Sequence, residues 1–238
     1  MIGLISDKGK KRMLNEDYAD YYVTDEYELF VLADGMGGHN AGEVASKLAA
    51  DTILEYIKEN WNTFKEDNIL LRAIKVANKK VFDLSNINEE LRGMGTTVAA
   101  CLITDSKTYV ANVGDSACFI LTDGELTKIT KDHSLVQELL DSGTITEDEA
   151  LTHPRKNIIT RAIGAYEDVE VDIFKLPNIK ESKYILCSDG LLNEVTKDEI
   201  QHILKIYDNE EAAKQLVILA NEREGRDNIT VLVFGGEL

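Results

Sequence analysis

Leu29-Phe-Val-Leu-Ala-Asp-Gly-Met-Gly-Gly38 decides how this chain folds. Residues 29–33 are apolar and the run stops at Asp34; glycines follow at 35, 37 and 38, and an amphipathic run starts near Glu43. The pattern predicts a buried strand, a glycine-rich turn and a helix. A carboxylate at the end of a stiff strand faces whatever the turn surrounds. Glycines let main chain approach an ion or a phosphate where a side chain would collide. An ordinary strand–turn–helix connection fits the same residues. A dinucleotide loop does not, because Gly-x-Gly-x-x-Gly counted from Gly35 would need a glycine where Asn40 stands.

On the N-terminal side of this stretch, residues 2–6 read as a short strand and 18–24 as an aromatic one, with Arg12-Met-Leu-Asn-Glu-Asp17 between them. That segment reads either as a solvated charged turn or as a phosphate-binding arginine beside metal-directed carboxylates. On the other side, 43–59 and 69–84 carry apolar stripes at helical spacing, with a connecting loop over 85–95. Strands are expected at 96–103, 108–113, 117–121, 169–176, 184–187 and 229–234, and a helix over 210–222. Asp123-Gly124 sits between apolar runs and predicts a hairpin, so Asp123 is turn chemistry. Thr146 with Glu149, and Thr196 with Glu199, have the spacing of helix capping boxes. Residues 132–164 read as a flap-like insert of short helices and polar turns within a single domain spanning 1–238. His133 and His153 read as structural or surface residues, since no second His stands at metal spacing.

Composition narrows the possibilities. The 238 residues are 44% hydrophobic, enough for a sizeable core. With 26 Lys and Arg against 43 Asp and Glu, the net charge of −17 argues against nucleic acid and anionic membrane as partners, and permits bound cations. Cys101, Cys118 and Cys187 lie in apolar runs without Cys-x-x-Cys spacing, which suits buried reduced thiols. No apolar run approaches a membrane span, and the Asp7-Lys-Gly-Lys-Lys-Arg12 stretch is unlike a signal peptide. The expected setting is the cytoplasm.

The chemistry lies in the acids. Asp34, Asp115 and Asp189 follow predicted strands, Asp227 precedes one and Asp17 flanks another. Carboxylates gathered at one sheet edge repel one another unless cations sit between them. Oxygen ligands without His or Cys suit Mg²⁺ or Mn²⁺ rather than zinc. Five such residues near an arginine point to a two-metal hydrolase. No Cys-x₅-Arg nucleophile loop is present: the residues five after the cysteines are Ser106, Asp123 and Leu192.

The order of these residues resembles a known family. Arg12…Asn15-Glu-Asp17, Asp34-Gly-Met-Gly-Gly38, Gly95-Thr-Thr97, Gly114-Asp-Ser116, Asp132-His-Ser134, Thr160-Arg-Ala-Ile-Gly164, Ser188-Asp-Gly190 and Asp227-Asn-Ile-Thr230 follow the metal-dependent protein phosphatases of type 2C, in particular the compact bacterial serine/threonine phosphatases. The resemblance covers nearly the whole chain. It implies an α+β fold, a four-layer α–β–β–α sandwich with a central antiparallel β-sandwich flanked by helices. It implies two tightly bound Mn²⁺ or Mg²⁺ ions and a third, weaker one. Asp34 would bridge both ions and the Gly35 carbonyl would bind one; Asp189 and Asp227 would bind the other. Asp115, with Asp189, would match the third position, and Glu16 and Asp17 would hold ion-bound waters. Arg12 would grip the substrate phosphate as a fork. Animal members carry a His where Met36 stands here; His39, three residues on, is a candidate for its acid role. Ala117 replaces the usual Arg after Gly-Asp-Ser.

The implied activity is hydrolysis of phosphoserine and phosphothreonine in proteins by a hydroxide shared between two ions, with Arg12, Asp34 and Asp115 at the reaction centre. The expected partners are phosphorylated proteins, among them a bacterial Ser/Thr kinase and its substrates, and the expected state is a monomer. Two alternatives stand beside it: a catalytically weak phosphoprotein-binding regulator, and a general phosphomonoesterase.

Overall fold

The computed structural model describes residues 1–37, 41–64, 68–179 and 181–236. Two antiparallel sheets are stacked face to face. One has the order β1–β11–β10–β7–β8, with β1 Gly3–Asp7, β7 Ala117–Thr122, β8 Glu125–Lys128, β10 Lys183–Cys187 and β11 Ile229–Gly235. The other has the order β2–β3–β5–β6–β9, with β2 Asp17–Val23, β3 Glu28–Met36, β5 Val98–Ile103, β6 Lys107–Val113 and β9 Asp172–Pro177. The two-residue strand β4, Gly95–Thr96, extends β3. Helices α1 Ala41–Phe64 and α2 Ile69–Ile87 cover the second sheet. Helices α5 Asp189–Leu192, α6 Lys197–Ile206 and α7 Asn209–Arg223 cover the first. The expected α–β–β–α layering is the one observed.

Three apolar layers follow from strand alternation. In β3, Leu29, Val31 and Ala33 point to α1 and α2, while Phe30 and Leu32 point into the space between the sheets. Both faces are covered, so the strand reads as a continuous apolar run rather than an alternating one. Between the sheets Phe30 stacks on Phe234 with ring centroids 3.6 Å apart, and Tyr184, the register partner of Phe234 in β10, lies nearly parallel to it at 5.6 Å. Truncating Phe30 to alanine would open a cavity there, at a cost of about 3–5 kcal/mol. Cys101 and Cys118 lie in this layer and Cys187 in the layer under α5–α7, all three buried and free.

Local signals hold where they are strong. Asp123 adopts φ 50° and Gly124 φ 77°, the left-handed pair that a two-residue hairpin requires. Both capping boxes form, at Thr146 before α4 (Glu147–Leu151) and at Thr196 before α6. Three expectations are corrected. Helix α2 runs to Ile87 and a 3-10 turn follows at Glu89–Leu91, so 85–95 is only partly loop. Strand β9 begins at Asp172 rather than 169, because Val169 turns into the core beneath α1 and α2 before pairing with β6 starts. Strand β3 does not stop at Asp34 but runs to Met36, since Thr97 and β4 supply hydrogen-bond partners beyond the aspartate.

Residues 131–164 leave β8 and return toward β9. They contain α3 Leu135–Asp141 and α4, and they close on themselves at a neck. There Ser134 bridges Ile159, Leu135 N–H donates to Ile158 O at 2.9 Å and Thr160 N–H donates to His133 O at 2.8 Å.

Candidate metal centre

Strand direction brings the acids to one end of the sandwich. Strand β2 runs antiparallel to β3, so Asp17, first in β2, stands directly opposite Asp34. Strand β6 is two strands over from β3 and parallel to it, so Asp115, in the β6–β7 bend, leaves at the same end. In the other sheet β10 and β11 are antiparallel, so Asp189 after β10 and Asp227 before β11 leave together. The two sheets are tied at this end by hydroxyls and amides. Ser188 Oγ donates to Asp17 Oδ2 at 2.8 Å and Glu16 N–H donates to Asn228 Oδ1 at 2.9 Å. Thr97 Oγ1 shares a 2.7 Å hydrogen bond with Ser116 and accepts Asp34 N–H at 3.0 Å.

Close main-chain approach explains the glycines. A Cβ on Gly35 would lie 2.1 Å from Gly42 O and 2.5 Å from Glu16 O, and one on Gly42 would lie 2.4 Å from Glu16 Oε1. Gly35 therefore lets the start of α1 and the Glu16 main chain meet against β3. Gly35 N–H donates to Glu16 O at 3.1 Å, and Ser46 Oγ of α1 donates to the same carbonyl at 2.6 Å.

The electrostatics are those of anions without counterions. Burial is the largest cause of every shift. Asp17 is pushed up to about 7 by burial, with Asp189 and Asp227 adding repulsion and the Ser188 hydroxyl opposing it. Burial, then Asp189 and Asp132, push Asp115 to about 7. Asp189 rises to about 6 through burial and Asp227, held down by Asn193, Arg12 and Lys156. Asp34 goes well above the ordinary range from burial and from all four of the other aspartates, Asp17 first. Glu16 is also raised, by burial, against the pull of Arg12. Asp17 Oδ1, Asp115 Oδ1 and Glu16 Oε1 are buried with no hydrogen-bond partner. Such atoms fit divalent cations, which would satisfy the lone pairs and remove the repulsion together. Among the described residues no three of His, Cys, Asp or Glu close on one point as a ligand shell. Water would have to complete the coordination of a hard ion held by so few protein oxygens.

Cations flank the acids. Arg12 Nη2 pairs with Asp227 Oδ2 at 2.8 Å, with about half of the arginine side chain exposed. The loop carrying Arg12 is pinned by Asn228, whose Nδ2 donates to Lys8 O at 2.9 Å and Leu14 O at 2.8 Å. Lys128 Nζ pairs with Asp132 at 2.6 Å. His133 is buried and clamps the Asp115 bend from below: its Nδ1 accepts Gly114 N–H at 3.0 Å, and its own N–H donates to Gly114 O at 2.9 Å. Its expected structural role is the one it has.

Asp17, Asp34, Gly35, Asp115, Asp189, Asp227, Glu16 and Arg12 thus share one cleft. His39 lies outside the described residues. Sequence reasoning gave no role to Asn228, Ser188, Thr97 or Asn193, which hold the acids in place. Their signal was adjacency: each lies within one or two residues of a motif aspartate or glycine, except Asn193, which is one helical turn after Asp189.

An oxygen-only carboxylate cleft at the end of a helix-covered β-sandwich defines the class of metal-dependent phosphate-ester hydrolases. Comparison with known proteins narrows the class. Residues 8–220 match the protein phosphatase 2C family, and the chain belongs to that family. It is 40% identical over 238 residues to the serine/threonine phosphatase stp of Listeria monocytogenes, covering 98% of this chain and 94% of that one. The crystal structure of the Mycobacterium tuberculosis serine/threonine phosphatase PstP/Ppp superposes with a TM-score of 0.89 at 36% identity, covering 100% of this chain and 99% of that one. A structure of the PstP catalytic domain in complex with two manganese ions gives 0.86 at 36% identity over 98% of this chain and 96% of that one.

Proposed function

We propose that this chain hydrolyses phosphoserine and phosphothreonine in proteins with the help of Mn²⁺ or Mg²⁺ held by the carboxylate cleft. The observation that carries the reading is the set of buried and half-buried, mutually repelling aspartates, with unpartnered oxygens on Asp17 and Asp115. Asp34, the Gly35 carbonyl, Asp189 and Asp227 would hold two ions, and Asp115 with Asp189 a third. Bound there, the ions supply Lewis acidity, acidifying water and drawing charge from the phosphoryl oxygens. The chain's own groups do the rest. Glu16 and Asp17 accept hydrogen bonds from water and orient it. Arg12 offers a planar fork to two phosphate oxygens once its hold on Asp227 is given up, and Asn228 fixes the loop from which it reaches. The half-exposed side of Arg12 leaves room for a protein-borne phosphate to approach.

The same reading places residues 132–164 as a flap beside the cleft that contacts the substrate polypeptide. It places the enzyme in a reducing cytoplasm, where three buried free thiols are stable, acting on phosphoproteins in opposition to a Ser/Thr kinase. Among the described residues no helix is long and apolar enough to cross a membrane. The test is hydrolysis of a phosphothreonine peptide with Mn²⁺, with Mg²⁺ and with a chelator. Turnover that needs the ion and favours peptide over a small aryl ester supports the reading. Binding of phosphopeptide without turnover would make the chain a regulator, and equal efficiency on both substrates would make it a general phosphomonoesterase.

A further inference from the structure

The loop 135–158 is fastened to the rest of the molecule in an unusual way. Its neck is closed by main-chain bonds at Ser134, Leu135 and Ile158–Thr160. Among the described residues, one hydrogen bond or ion pair joins 135–158 to anything outside 131–160. It runs from Lys156 Nζ to Asn193 Oδ1, 3.0 Å. Lys156 is presented by a tight turn in which Arg155 N–H donates to His153 Nδ1 and Lys156 N–H to His153 O. Asn193 caps α5 through its N–H on Asp189 O, and its Nδ2 donates to Asp189 Oδ2 at 3.1 Å. The amide orientation is fixed by its partners, because an ammonium can only donate and a carboxylate only accept. A chain of two hydrogen bonds therefore runs from the returning limb of the loop, two residues before the neck at Ile158, to an aspartate of the cleft.

Resting on the reading of Asp189 as an ion ligand, we propose that Lys156 is a positioning residue: through Asn193 it latches the 135–158 loop onto Asp189, and an ion held by Asp189 competes with that latch. The competition has two sources. Coordination draws on the same carboxylate that accepts from Asn193. The ion's double positive charge also repels the ammonium one amide away. Coupling of this kind is reciprocal, so whatever the ion does to the loop, the loop does to the ion. The ion-free chain holds the loop against α5. Ion loading frees Lys156 at the rim of the cleft, where a phosphorylated, anionic segment of a substrate protein arrives.

The test uses the full chain and Mn²⁺ as the probe. Lys156→Met keeps the length of the stem and removes the charge. Calorimetric titration is expected to show Mn²⁺ binding about threefold tighter in Lys156→Met, a modest effect because the lysine is exposed and screened. Lys156→Arg is expected to restore wild-type affinity. Asn193→Ala breaks the relay, so Lys156→Met should tighten binding less in the Asn193→Ala background than it does in the wild type. Hydrogen exchange gives a second readout: amides of 135–158 should exchange faster when Mn²⁺ is added to the wild type, and fast with or without the ion in Lys156→Met. Unchanged or weaker Mn²⁺ binding in Lys156→Met, or loop exchange indifferent to Mn²⁺ in the wild type, overturns the latch while leaving the ion site intact. A wild-type chain that takes up no Mn²⁺ overturns the ion site and the competition with it.

Discussion

Asp17 and Asp34 are register partners across the β2–β3 ladder, two carboxylates held side by side by main-chain pairing rather than by any attraction between them. Each raises the proton affinity of its neighbourhood, and Asp34 feels Asp17 more than any other acid. The ladder, stabilised by the apolar layers on both of its faces, forces together charges that would otherwise separate. That stored repulsion sets what ions, protons and substitutions do here.

Asp34→Asn is expected to abolish turnover and to weaken binding of both tightly held ions, since it removes the ligand proposed to bridge them. In the absence of ions the same change relieves repulsion. The chelated variant should therefore melt at least about 2–4 °C above the chelated wild type, the equivalent of roughly 1 kcal/mol in a chain of this size. Wild-type turnover at saturating Mn²⁺ would remove Asp34 from the site.

The pH dependence of the ion-free chain has a defined sign. Asp17 and Asp115 titrate near about 7 and Asp189 near about 6 in the folded chain, well above unfolded carboxylates. The folded state then binds more protons than the unfolded one between about pH 4 and 7, so stability falls as pH rises through that window. Melting temperatures in chelator are expected to decline across it, and Mn²⁺ should flatten the decline by supplying positive charge in place of protons. A chelated chain that becomes more stable from pH 5 to 7 would contradict the clustering.

Arg12→Ala should lower kcat/KM on a phosphothreonine peptide by about 10- to 100-fold, the worth of a charge-assisted contact of roughly 1.5–3 kcal/mol. Arg12→Lys should stay impaired, because an ammonium cannot reproduce the fork. Mn²⁺ affinity should not fall in either variant, as the salt bridge to Asp227 occupies a proposed ion ligand. Unchanged peptide kinetics would take Arg12 out of the phosphate site.

Asn228→Ala removes three partly buried hydrogen bonds, to Lys8 O, Leu14 O and Glu16 N–H. A loss of about 2–4 kcal/mol is expected from urea unfolding, together with a raised KM as the Arg12 loop loosens. Asn228→Asp keeps the acceptor but sets an anionic oxygen against the carbonyls of Lys8 and Leu14 and beside Asp227, so it should be no more stable than Asn228→Ala.

Asp115→Asn keeps the shape of the β6–β7 bend and removes its charge. Two ions should still titrate by calorimetry, while turnover of a phosphoserine peptide falls by on the order of 10²–10⁴-fold, the usual worth of positioned acid–base help. The fall should be smaller for an aryl phosphate, whose leaving group needs little protonation. Equal falls would sink the leaving-group role, and no fall would leave Asp115 as a turn residue.

Much of this was legible in the chain. The run ending at Asp34 announced a strand buried on both faces, and the capping boxes and Asp123-Gly124 were read from local chemistry that packing did not override. The five aspartates were legible because each stands at or beside the end of an apolar run. What holds them was not. Ser188 reaches Asp17 across 171 positions and Asn228 reaches Leu14 across 214, and no local pattern marks such pairs. The end of β3 was misplaced for the same reason: its last residues are strand only because Thr96 and Thr97, far along the chain, supply the ladder. Lys156 carried no signal, because an exposed lysine in a turn looks like any other until Asn193 is seen beneath it.

The order of strands in the first sheet bears on biosynthesis. Strand β11, the last of the described strands to be made, lies between β1, the first of them, and β10; among the described strands β1 has no other neighbour in its sheet. While the C-terminal segment is still in the ribosome, Gly3–Asp7 has nowhere to pair and Asp227 and Asn228 have not yet arrived. A nascent chain can assemble the second sheet with α1 and α2, but it cannot close the cleft, and pairing across more than two hundred residues is slow. With Asp227 as a proposed ion ligand, catalytic competence therefore waits for β11: a fragment that ends before it is expected to strip no phosphates from its surroundings, and an unpaired β1 is what a chaperone would meet in the interval.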